Sequence, residues 1–133
     1  MNTAVLMNPA RFVRPLASAG IFAGRLCLAA LFLAGALQKA FAPEVVEHLL
    51  AAQGYAPALI WPALILSAFG AACLIMGLWL APVALVLALY SIATSVFHFI
   101  PDDPVQMSIF LKNWAIAGGL VMLSAHEVLS APE

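Results

Sequence analysis

Few side chains in this sequence could do chemistry, and the ones that could gather where apolar runs end. Lys39 closes one run, His98 closes another, and Lys112 opens a third with Asn113 beside it. Two ammonium groups and an imidazole at one level would suit an anion or a carbonyl-bearing ring. The lysines would act as point-charge donors, and the histidine as a donor or proton carrier near neutral pH. Glu44, Glu47, Asp102 and Asp103 stand in the adjoining loops. The competing reading is that the lysines extend along their apolar stems and pair with these acids. Asn113 has a plainer use, bonding the backbone of a neighbouring helix or capping the start of its own. No nucleophile elbow, phosphate loop or haem-attachment motif is present in the chain.

Three further residues fall inside apolar runs. Arg25 lies about two turns into the first run, counting 1.5 Å per residue. It reads either as an interface anchor or as an internal charge facing polar partners, with Glu127 and the C-terminal carboxylates as the nearest acids. Cys27 and Cys73 fall at similar depth on successive runs and could face each other. A disulfide needs close, aligned Cβ atoms, and buried thiols ordinarily behave as small apolar residues, which is the reading preferred here. Without a CxxC motif or a Cys/His cluster of zinc spacing, no metal site is read.

The elements that must position these residues follow from composition. The 133 residues are 65% hydrophobic and only 8% charged, with a mean hydropathy of +1.08, whereas soluble domains are about 25% charged. A soluble fold of this size could not hide so much apolar surface, so the chain is read as integral to a lipid bilayer. A formal net charge of −1 leaves no electrostatic footprint for nucleic acid. Crossing the hydrocarbon takes about 20 helical residues, and four runs meet or approach that length, at about 19–41, 58–80, 83–100 and 108–125. Backbone groups in lipid must be satisfied internally, so these runs are helices. The expected fold is an all-α bundle of four transmembrane helices, one domain over 1–133.

Only Ala81-Pro82 separates the second and third runs, which makes them antiparallel neighbours. Pro43 can open a short amphipathic helix in the first loop, with Glu44 and Glu47 early in it and Gly54 to end it, lying on the membrane surface. The PDDP stretch at Pro101 to Pro104 is a turn signal. Small residues recur at four-residue spacing, at Gly20 and Gly24, Ala30 and Ala34, Ala36 and Ala40, and Ala115 and Gly119. The expectation is that they let helices approach closely within the bundle. Arg11 and Arg14 before the first span favour cytoplasmic N- and C-termini. Arg11, Arg14 and a later Ala34-Gly35-Ala36 also resemble a signal peptide, but the apolar run is too long for one.

Taken together, these residues resemble the DoxX family of small four-helix bacterial membrane proteins. The similarity is carried by GRLCLAALFLAGALQKAF, with Arg25, Gly35 and Lys39 matching. It continues in LIMGLWLAP with Gly77, in FHF with His98, and in a Lys-Asn-(apolar)-Gly-Gly pattern at Lys112, Asn113, Gly118 and Gly119. Many members carry a glutamate in the second span where this chain has Ser67, and often a basic residue in the turn that here reads Leu80-Ala81-Pro82. The resemblance implies a bacterial inner-membrane subunit associated with a redox or oxidoreductase system. A quinone or small anion would then sit near Lys39, His98, Lys112 and Asn113 at the outer surface. The alternative is a non-catalytic accessory or scaffolding subunit of a larger membrane complex. No cofactor motif is evident, a quinone being the one cofactor in view, and a complete enzyme is not expected. The implied partners are the bilayer and other membrane subunits. A transporter or channel is disfavoured by the scarcity of intramembrane polar groups.

Overall fold

Proline and glycine punctuation divides the chain into helices. The computed structural model describes residues 10–131, with side chains from Val13. The side chain of Arg11, used in the orientation argument, lies outside this range, as do the C-terminal carboxylates considered as partners for Arg25. Among the described residues five α-helices follow one another: α1 (Ala10–Phe41), α2 (Pro43–Ala52), α3 (Ile60–Met76), α4 (Leu80–Ser95) and α5 (Pro104–Ser130). Single 3₁₀ turns at Pro57–Leu59 and Val96–His98 lead into α3 and out of α4. No strand occurs among the described residues. Among the described residues four segments are long and apolar enough to cross a membrane: Val13–Phe41, Pro57–Met76, Leu80–His98 and Pro104–Ser130.

At one end of the bundle, three segments open on a proline, at Pro43, Pro57 and Pro104. Proline costs nothing there, because the first helical N–H groups have no partner in any case. Asp103 caps α5, its carboxylate accepting from Val105 N at 2.9 Å and Gln106 N at 3.2 Å. The cap lies well upstream of Asn113, which sits inside the helix. The expected capping role for Asn113 is therefore wrong, and the fourth span is longer than read because the cap and Pro104 start it early.

At the other end, α3 stops sooner than hydropathy suggested. Gly77 adopts φ +74, a left-handed conformation that ends helices and that glycine enters without a Cβ penalty. The amides of Gly77 and Leu78 both bond to Cys73 O, at 2.9 and 3.0 Å. Trp79 is left-handed as well, at φ 47, and α4 begins at Leu80. The turn is thus Gly77-Leu78-Trp79, not Ala81-Pro82, because backbone geometry ends the helix where apolar composition does not.

α1 packs against α3, α3 against α4, and α4 against α5. The buried core is built from Ala29 and Phe32 of α1, Ala71 and Leu74 of α3, Ala84, Leu87 and Ala88 of α4, and Ala117 and Leu120 of α5. Gly70 lets Leu87 approach so closely that a Cβ there would stand 2.7 Å from a leucine methyl. Ser124 Oγ donates to Ala81 O at 2.8 Å, tying α5 to the start of α4.

The small-residue pairs singled out by spacing do not form this core. Gly20, Gly24, Ala30, Ala34, Ala40 and Ala115 are exposed, and added Cβ atoms at Gly20, Gly24 or Gly119 would meet nothing within 4 Å. Ala36 alone of the eight is buried. The expectation of packing within the bundle is corrected: the helices meet on other small residues, and these stripes face outward.

Candidate functional site

The proline-rich end of the bundle holds a cleft of about 1080 Å³. Parts of α1, α3, α4 and α5 form its walls, and α2 with the loop after it contributes the rest. α2 turns Val46, Leu49 and the buried Leu50 toward the bundle, sets Val45 and His48 at the exposed rim of the cleft, and keeps Glu44 outside it. The loop that follows is pinned to the end of α4. Gln53 Nε2 donates to Phe97 O at 2.7 Å, and the Tyr55 and Phe97 rings meet edge to face at 5.1 Å.

Lys39 lies in the last turn of α1 and lines this cleft as its one formally charged side chain. Its Nζ donates to Gly35 O at 3.1 Å and to Ser67 Oγ at 3.5 Å. An ammonium carries three N–H donors, so one is free of these two contacts. Ser67 is buried, and its own hydroxyl donates back to Ala63 O at 2.7 Å. The chemistry of the pair is therefore a cation held against a neutral hydroxyl.

His98 lines the same cleft, and its Nδ1 lies 2.7 Å from Gln106 Oε1. An amide oxygen only accepts, so the proton of this bond belongs to Nδ1. That leaves Nε2 as an acceptor in the neutral ring. Asn113 also faces the cleft, half-buried on α5. Tyr90 and Thr94 add hydroxyl groups, with the Thr94 hydroxyl already donating to Tyr90 O at 3.0 Å.

The structure thus brings together Lys39, His98 and Asn113 but not Lys112. Lys112 is exposed and does not line the cleft. It neighbours Asn113 in sequence, but consecutive helical residues point about 100° apart, so only one of the two faces inward. Ser67, Tyr90 and Gln106 join the site without having been singled out for it. A signal was present: Tyr90, Ser91, Thr94, Ser95 and His98 form a polar stripe at helical spacing along an otherwise apolar span.

Arg25 stands at the opposite end, half-buried, with its guanidinium 5.1 Å above the centre of the Phe22 ring. Cys27 is exposed, Cys73 is buried, and both thiols are free. No group of three or more His, Cys, Asp or Glu suited to a metal ion occurs among the described residues.

Four apolar helices in an antiparallel bundle, with a mainly apolar cleft holding a few polar groups at one end, define a multi-pass membrane protein whose surroundings are the lipid bilayer. The DoxX family model matches residues 20–99, more than half of the chain. The protein belongs to the DoxX family. The match covers Arg25, Lys39, Ser67, Gly77 and His98 and ends before α5, so it does not extend to the Lys112-Asn113 and Gly118-Gly119 pattern. No curated protein and no solved structure matches the chain.

Proposed function

We propose that this protein is the membrane subunit of a redox system and holds a quinone, or a small anion of similar headgroup chemistry, in the cleft around Lys39. The observation that carries the reading is the cleft itself. It is lined mainly by apolar residues, and among the described residues its single formal charge is a lysine with an uncommitted donor and no acidic residue lines it. Sites for small ligands commonly combine apolar walls with a few convergent polar groups. Phe32, Leu49 and Ile109 would flank a ring or tail. Lys39 would donate to an anionic or carbonyl oxygen, and His98 Nε2 would accept from a hydroxyl. The bacterial inner membrane is the proposed location. Arg14 and Arg25 at the terminal end support cytoplasmic termini, and with them an outer-surface position for the cleft.

The test begins with native mass spectrometry of the protein extracted gently from its own membrane, followed by titration with decylubiquinone. A quinone-sized mass and saturable binding are expected. Lys39→Met preserves the stem and removes the charge. Losing one charge-assisted hydrogen bond, worth about 1.5–3 kcal/mol, weakens binding roughly 10- to 150-fold. Lys112→Met should bind like the parent. Recovery with a defined set of other subunits and no ligand, together with no saturable binding, would replace this reading with the accessory one. Equal effects of the two lysine variants would remove the cleft from the argument.

A further inference from the structure

A second pocket, of about 380 Å³, opens at the terminal end of the bundle, away from the Lys39 cleft. Arg14, Ser18, Phe22 and Arg25 of α1 line it together with His126 of α5. Among the described residues no acidic side chain lines it, so Glu127 does not supply the partner considered for Arg25.

Arg25 is held in place from two sides. Phe22 lies under its guanidinium at 5.1 Å, a distance at which a cation is attracted to a ring face. On the other side is Gly77, where a Cβ would stand 3.3 Å from Arg25 Nη1. The glycine that ends α3 therefore also makes room for the guanidinium. Its Nε is buried and has no hydrogen-bond partner among the described residues. An arginine that had simply extended into solvent would expose this atom to water. Burying a donor without an acceptor is costly, and such groups are rare in native proteins. The pocket beside it carries two arginines and, among the described residues, no acid, so it calls for an anionic acceptor at the exposed part of the guanidinium.

The depth indicates what kind. Gly77 lies between the spans Pro57–Met76 and Leu80–His98, so the guanidinium beside it sits level with the membrane boundary. α1 runs on past this level to Ala10, which is why sequence counting placed Arg25 deeper than it is. Two arginines, an imidazole and a serine hydroxyl converge there. A planar guanidinium fork matches phosphate oxygens two at a time. Basic pockets between helices at this level suit phosphorylated headgroups.

We infer that the pocket formed by Arg14, Arg25 and His126 binds a phosphate group, carried by an anionic phospholipid or free in solution. Arg25 anchors it by a bidentate bond, and Arg14 and His126 close over it from the rim.

The test uses the full chain in detergent, with native mass spectrometry against phosphatidylglycerol and phosphatidylcholine in separate arms and calorimetry against inorganic phosphate in a third. The expected result is retention of phosphatidylglycerol at least about tenfold above phosphatidylcholine, the scale of one lost charge-assisted contact. Arg25→Gln should abolish the difference, and Arg14→Gln and His126→Ala should reduce it. The last two residues are exposed, so these variants remain informative if Arg25→Gln does not fold. Binding of inorganic phosphate alone, lost in the same variants, keeps the phosphate site and assigns it to the free ion. Equal retention of the two lipids with no phosphate binding overturns the inference, as does parental binding in the variants that fold.

Discussion

Gly70→Ala adds one carbon to the contact between α3 and α4, and its effect can be worked from the geometry. The added Cβ would stand 2.7 and 2.8 Å from the two methyls of Leu87 and 3.1 Å from its Cγ. Non-bonded carbons rest at about 3.5–4.0 Å, so the leucine or the helix must retreat by roughly 1 Å. Leu87 is fully buried against the core and has no open space to swing into. Overpacking of this kind costs about 1–3 kcal/mol. The strain also reaches the site, because Gly70 is one turn from Ser67 and Leu87 one turn from Tyr90 and Ser91. The assay is unfolding by sodium dodecyl sulfate titrated into mixed micelles, followed by far-ultraviolet circular dichroism. Leu87→Ala alone should also destabilise, by leaving a void that lipid cannot fill. Together the two changes should cost at least about 1 kcal/mol less than their sum, because each relieves the other. Stability of Gly70→Ala within about 0.5 kcal/mol of the parent, the range of a neutral surface change, would refute the reasoning. So would strict additivity of the pair.

Asp103→Ala removes the cap of α5 and should cost about 1 kcal/mol in the same titration, while Asp103→Asn, which caps equally well, should cost little. Gly77→Ala forces a side chain into a left-handed backbone and toward Arg25, and a loss of about 1–2 kcal/mol is expected from the backbone alone. Maleimide should label Cys27 but not Cys73 in the folded, detergent-solubilised protein and both in dodecyl sulfate, with no change on adding reductant. Labelling that increases with reductant would show a disulfide the structure excludes.

Local sequence set the solvent, the number of spans and the family pattern, and Pro43 marked where the short helix after the first span begins. These follow from local quantities: hydropathy summed over a span, proline's missing N–H, and the need to satisfy every backbone group in lipid. It also named Lys39 and His98, because a charge or an imidazole at the end of an apolar run stands out. The tertiary structure decided which face of each helix turns inward. In a soluble protein polarity marks the outer face, but here lipid and core are both apolar, so hydropathy cannot tell them apart. That is why hydropathy groups Lys112 with Asn113 as candidate ligands, whereas only Asn113 lines the cleft and Lys112 stands outward, as do Gly20 and Gly24 of the small-residue stripe. The meeting of Lys39 with Ser67 and of Arg25 with Gly77 likewise depends on helix rotation and on where α3 stops. Both are set by packing and backbone geometry between segments distant in the chain, which no local count of residues contains.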